Sequence, residues 1–313
     1  DRGLVGSEMC IRDRCSNNAR RDCVVACALA LGWILLGTSC NNDEAHIGIT
    51  DSELEKFRGS AAVESLLAGM TLEDKVGEMT QLTLNMLCEG ELSDKPGIYV
   101  VLDEPHALDE NKLRVAFQEG RIGSVLNCGG HAYPTAQWRE LVSGVQQASI
   151  AAKGIPTLYG VDAIHGATYT SGAALGPQQI ALAATWDTAL VRKMSEGTAQ
   201  EIEACGIPWN FAPVLDVGRD PRWPRFWETF GEDVMLVGDM GEAMVRGFQE
   251  GPVKVAATLK HYMGYSTPWS GKDRTPAYIP ERQLREIFLP PFRQSIDAGA
   301  MSVMVNSGEM NGI

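Results

Sequence analysis

The sequence lacks most of the features that would place it quickly. Positive charge is in deficit, with 27 Lys and Arg against 40 Asp and Glu and a net charge of −13. Such a chain lacks the cationic surface that phosphate contacts demand, which argues against general nucleic-acid binding. Cysteine is scarce beyond position 40, where only Cys88, Cys128 and Cys205 remain of eight. Three widely spaced thiols make neither a disulfide framework nor a zinc spacing, and they read as buried small apolar residues. No G-x-G-x-x-G follows a strand-like run, and no glycine precedes Gly271-Lys272 at the spacing of a phosphate loop. H-E-x-x-H, G-x-S-x-G and the EF-hand loop are also missing, so neither a metal nor a cofactor is expected.

The remaining cysteines sit at 10, 15, 23, 27 and 40, all in the first forty residues. Arg20-Arg21 precede an uncharged run from Cys23 to Ser39 that ends Leu36-Gly37-Thr38-Ser39-Cys40. A basic start, an apolar core and small residues at its end are the layout of a secretory signal. The run is shorter than the ~20 residues a spanning helix needs. Its end resembles a bacterial lipobox, which makes Cys40 the expected lipidated residue and membrane anchor, the alternatives being a cleaved signal without lipid and a buried helix. Export follows, to the periplasm or to an outer-membrane lipoprotein of a bacterium. Residues upstream of Arg20 show no periodicity and read as extraneous sequence. The expected organisation is a leader with signal at 1–40, a linker at 41–60 and one folded unit at 61–313.

What is present is an alternation of apolar runs with helical stretches. Strand-like runs cover 122–127, 157–162, 209–216, 255–260 and 301–305. Between them, 187–204, 232–249 and 281–298 read as amphipathic helices, the first opening on Asp187 and closing before Gly206. Thr71 to Asp74 resembles a capping box, and Val76, Met79, Leu82 and Leu84 continue an apolar pattern after it. Alternating elements of this kind form a parallel α/β sheet. Polar residues gather where strands end: Asn127, Asp162 to Gly166, Asp216 and Lys260-His261. That is where a (β/α)₈ barrel carries its site, and without a phosphate loop the barrel is favoured over a doubly wound sheet. About five strands are visible, so the expected fold is an incomplete TIM-like barrel, a piece of a longer one with an open edge.

Three segments could carry chemistry. Asp162 ends an apolar strand, where a carboxylate either accepts from two ligand hydroxyls or caps the next helix. Lys260 and His261 follow a buried strand and could donate to a polyhydroxylated ligand, or could snorkel and bond a carbonyl. The loop from Gly218 to Asp233 holds Arg219, Arg222, Arg225, Trp223 and Trp227 among several acids. Tryptophan faces suit sugar rings or arginine stacking, while arginine–carboxylate pairs suit bracing. Both roles are compatible, with Arg225 on the ligand and Arg222 or Glu228 as the brace. His131 and His165 stand alone and read as structural.

Together these segments resemble glycoside hydrolase family three, the β-glucosidase and β-xylosidase family. The resemblance rests on Gly-Val-Asp-Ala-Ile-His-Gly at 160–166, Asp-Pro-Arg-Trp-Pro-Arg at 220–225, Glu-x-x-Gly-Glu-Asp at 228–233 and Leu-Lys-His-Tyr at 259–262. Residues 300–305 and Asn311-Gly312 add the fifth-strand region. The resemblance implies a barrel followed by an α/β sandwich. It implies that Asp162, Arg225, Lys260 and His261 hold a terminal sugar, the aspartate accepting from hydroxyls and the other three donating. It also places the nucleophilic aspartate and the acid/base beyond Ile313. The implied activity is retaining hydrolysis of terminal β-glycosyl residues from a β-linked oligosaccharide or glycoside, with residues 1–313 alone inactive. The competing reading is a non-catalytic sugar-binding lipoprotein. Pro224 stands where the family usually has glycine, and Ser307 to Met310 where many members carry Tyr and Trp, so the sugar preference is open. Tyr262-Met263-Gly264-Tyr265-Ser266 after His261 departs from the N-acetylglucosaminidase branch.

Overall fold

A computed structural model describes residues 61–90, 107–128 and 131–313. Cys40, the leader and the linker lie outside the described residues. Helix α1 covers Ala61–Gly69. Thr71 caps α2 (Leu72–Glu78), its hydroxyl accepting the Asp74 N–H at 3.1 Å while the Asp74 carboxylate accepts the Thr71 N–H at 3.0 Å. The expected capping box is therefore present. The apolar pattern there is divided among elements, with Val76 in α2, Leu82 in β1 (Gln81–Thr83) and Leu84 opening a 3-10 turn, and β1 is one strand more than the five read from sequence. Three residues are too few for periodicity to separate strand from helix.

Asp109 caps α3 (Glu110–Arg114), and β2 is Ser124–Leu126. Helix α4 (Thr135–Lys153) buries Trp138, Leu141, Val142 and Val145 at helical spacing and stops at Gly154, whose φ is +76°. Next come β3 (Leu158–Val161) and the short α5 (Gln179–Ala183). Asp187 caps α6 (Thr188–Ala204), and Asp233 caps α7 (Val234–Glu250). Between them lies β4 (Trp209–Asn210), far shorter than the 209–216 run. Pro213 has no N–H for the ladder, and beyond it only Val214 makes an isolated bridge, to Lys260. After β5 (Ala256–Tyr262), the helix expected over 281–298 is divided. A single turn at Glu281–Gln283 widens into a π-turn over Leu284–Phe288 before α8 (Leu289–Asp297). Pro290 and Pro291 lack the N–H groups that a continuous α-helix would use there. Strand β6 is Ser302–Val305.

The six strands pair in parallel in the order β1 to β6, each with its sequence neighbour, as a curled half-barrel with helices outside it. The incomplete barrel is thus the observed architecture. Tyr159 packs edge-on to Trp138 of α4, at 5.9 Å between ring centroids, and so faces the helices. Strand alternation then turns Gly160 and Asp162 to the inside. Gly160 is needed there, since a Cβ would meet the Phe211 ring at 2.3 Å. Thr258 and Ser302 share this inner side, their hydroxyls 2.8 Å apart and both reached by the indole N–H of Trp209. Among the described residues, β1 and β6 each pair on one side only. Val303 and Val305 on β6 keep 43% and 72% of their surface exposed.

Candidate functional site

The C-terminal ends of β2, β3 and β5, with the segment that follows β4, bring polar positions together. Asn127 follows β2 in the left-handed region, with φ of +46°. From there its amide oxygen accepts the Asp162 N–H and its amide N–H donates to Asp162 Oδ2, both at 2.8 Å. The Tyr159 hydroxyl fixes the Asn127 carbonyl at 2.8 Å. Asp162, at the end of β3, therefore points one carboxylate oxygen at Asn127. The other receives the ammonium of Lys260 from β5. The Lys260 side chain is 2% exposed and that of Asp162 15%. Burial opposes charge on Asp162, but Lys260, Asn127 and the nearby Arg225 outweigh it and hold the carboxyl below its ordinary range. Asp162 is an ionised acceptor with a small part of its side chain open to solvent. It does not cap the following helix.

Consecutive residues of a regular strand point to opposite faces, yet Lys260 and His261 both serve this region. The β5–β6 register explains it. Leu259 opposes Val303 and Tyr262 opposes Val305, so three steps on β5 match two on β6. Such a bulge re-aims a side chain. His261 is buried beside Asp216, with Nδ1 2.7 Å from Asp216 Oδ2, and its backbone N–H donates to that same oxygen at 3.2 Å. The Tyr265 ring closes the other flank at 4.7 Å. Neither Lys260 nor His261 takes the snorkelling or carbonyl-bonded alternative.

Arg225 is held by two parallel bonds to Glu228, Nε to Oε1 at 2.8 Å and Nη2 to Oε2 at 2.6 Å. Its guanidinium carbon lies 5.5 Å from the centroid of the Tyr265 ring. Glu228 is thus the brace, and the arginine stacks on tyrosine. Arg222 pairs with Asp220 on the exposed side of the loop and does not brace Arg225. Trp223 is buried and donates its indole N–H to Asp273 at 2.9 Å, so it offers no face to a ligand. His165 bonds the Gly176 carbonyl at 3.0 Å, in keeping with a structural role. Cys88, Cys128 and Cys205 are buried free thiols, and burial pushes Cys88 up to about 12. Among the described residues no group of three His, Cys, Asp or Glu is placed to hold a metal.

The structure therefore joins all four sequence-derived candidates within the described region, Asp162 to Lys260 directly and Arg225 to His261 through Tyr265. In the sequence alone, Asn127 and Asp216 are polar strand ends without a role, and Tyr265 does not stand out. Asn127 and Tyr265 lie just past the ends of β2 and β5, whereas Asp216 closes the apolar run that begins with β4, six residues beyond that strand. The arrangement offers one ionised acceptor flanked by an ammonium, a guanidinium and an imidazole. That set matches a neutral ligand bearing several adjacent hydroxyls.

Comparison with known proteins bears on this site. The family model described as "Glycosyl hydrolase family 3 N terminal domain" matches residues 71–312. A lysosomal beta glucosidase of Dictyostelium discoideum is 39% identical over 273 residues, covering 80% of this chain and 31% of that protein. A periplasmic beta-glucosidase of Salmonella typhimurium is 27% identical over 256 residues, covering 80% of this chain and 29% of that protein. Among solved structures, an exo-1,3/1,4-beta-glucanase from a Pseudoalteromonas species superposes with a TM-score of 0.68 at 32% identity, covering 80% of this chain and 31% of its own. A beta-glucosidase from Listeria innocua in complex with isofagomine gives 0.65 at 29% identity, covering 82% and 33%. The chain spans about a third of the length of these proteins.

Proposed function

The chain belongs to glycosyl hydrolase family 3, and on that premise we propose that it supplies the sugar-holding half of a retaining exo-β-glycosidase of β-glucosidase type. The observation that carries this reading is the Asp162–Lys260 pair at the barrel mouth, with Arg225 and His261 around it. In this reading Asp162 accepts from two hydroxyls of a terminal glucose-like residue. Lys260, Arg225 and His261 donate to the remaining oxygens and fix the ring for attack at its anomeric carbon.

Retaining hydrolysis needs two carboxyl groups roughly 5–5.5 Å apart, one as nucleophile and one as acid/base. Asp162 is engaged by Lys260 and Asn127, Glu228 by Arg225 and Asp216 by His261. Each of these three carboxyl groups is already bonded to a neighbouring side chain. This supports placing the nucleophile and the acid/base beyond Ile313, with residues 1–313 alone not hydrolysing glycosides. Export with a lipid on Cys40 completes the proposal.

The test is Asp162→Ala in the full-length protein, assayed on an aryl β-glucoside. Loss of two charge-assisted hydrogen bonds, at about 1.5–3 kcal/mol each, predicts a fall in kcat/KM of roughly 10²- to 10⁴-fold. An unchanged kcat/KM would remove Asp162 from the site. Sugar binding without hydrolysis in the unsubstituted full-length protein would favour the non-catalytic lipoprotein.

A further inference from the structure

Asp216 is a buried acid at the mouth that makes none of the proposed sugar contacts. Its side chain is fully buried, and both of its described contacts go to one oxygen, Oδ2. That oxygen faces the backbone N–H and the Nδ1 of His261. The second oxygen, Oδ1, is buried with no hydrogen-bond partner. The nearest cations are committed elsewhere, the Lys260 ammonium to Asp162 and the Arg225 guanidinium to Glu228. An ionised Asp216 would be a buried charge with a bare oxygen and no cation bonded to it, which is costly. The other groups acting on the pair are Glu228, beside Asp216, and Arg274, acting on His261.

A neutral acid changes the logic of the histidine. Oδ2 already accepts the backbone N–H, so a proton on the same oxygen points to the remaining neighbour, Nδ1. The imidazole then carries its own proton on Nε2, the ring nitrogen directed away from Asp216. No partner for Nε2 is found among the described residues. We propose that Asp216 is a positioning residue which stays protonated and donates to Nδ1 of His261, locking the ring as the Nε2–H tautomer. His261 then meets a sugar hydroxyl as a neutral donor of fixed orientation. The final step rests on the proposed sugar-holding role of His261, whereas the tautomer does not.

The test is long-range ¹H–¹⁵N correlation on the histidine-labelled full-length protein at pH 7, with the His261 signal assigned by its loss in His261→Gln. The expected spectrum shows His261 protonated at Nε2 alone. In Asp216→Asn the amide oxygen takes the place of Oδ2 and accepts from both groups, so the proton moves to Nδ1 and Nε2 becomes an acceptor. The same variant is expected to bind D-glucose at least ~10-fold more weakly by calorimetry, the scale of one hydrogen bond to a buried partner. Protonation of His261 at Nδ1 or at both nitrogens in the unsubstituted protein overturns the proposal. So does an Asn variant with unaltered tautomer or unaltered glucose affinity. If Asp216→Asn does not fold, the unsubstituted spectrum decides alone. If the unsubstituted protein binds no glucose, the sugar-holding role fails while the tautomer still decides the function of Asp216.

Discussion

At the scale of residues, the site is a set of charges sorted by burial. Asp162 keeps its charge because Lys260 and Asn127 meet both of its oxygens. Asp216 has no such company, and burial pushes its carboxyl up to about 8, while burial also holds His261 well below its usual 6.5. The consequence for stability has a definite sign. In acid, the unfolded chain protonates histidine while the folded chain does not, so His261 adds stability as pH rises towards 6.5. Over the same range folded Asp216 retains a proton that the unfolded chain has lost, which removes stability, and the two trends oppose. Above 6.5 His261 is neutral in both states and only Asp216 acts. Stability is therefore predicted to decline between pH 6.5 and 8, by on the order of 1 kcal/mol per unit, and then to level. Urea unfolding across that window checks it, and Asp216→Asn should abolish the slope. A flat profile in the unsubstituted protein contradicts the neutral carboxyl.

At the scale of elements, what was legible followed from what each local signal encodes. Asp187 and Asp233 cap helices close to where the apolar periodicity begins, because a cap depends only on its own turn. The five strand-like runs all produced strands, because a parallel sheet covered by helices selects continuous apolar segments. Features that depend on distant partners were hidden. Strand β1 is three residues long and is defined by pairing with β2. The break in the last helix arises from two prolines whose missing N–H groups widen the turn ahead of them. The site divides in the same way. Asp162, Lys260, His261 and Arg225 were legible through a resemblance carried by short motifs. The Asn127 clamp, the Tyr265 bridge and the shared Asp216 oxygen were not, because residues 35 to 45 positions apart in sequence make them. The bulge that turns His261 beside Lys260 is a property of register, which one strand alone does not encode.

At the scale of the whole molecule, six parallel strands describe an arc whose ends at β1 and β6 are unpaired among the described residues. The candidate site lies along the inner rim of this arc, where the ends of neighbouring strands converge. Expressed in a bacterium with its own leader, the protein is predicted to incorporate labelled palmitate and to lose that label in Cys40→Ser. Equal labelling of both would exclude Cys40 as the anchor. The central claim, that Asp162, Lys260, His261 and Arg225 form one sugar-holding wall, is tested most directly by a crystal structure of the full-length protein with D-glucose bound. The expected structure has the Asp162 carboxylate accepting from two adjacent hydroxyls, with Lys260 Nζ, Arg225 and His261 Nε2 donating to the same ring. A glucose seated elsewhere, with the Asp162–Lys260 pair untouched, would contradict it.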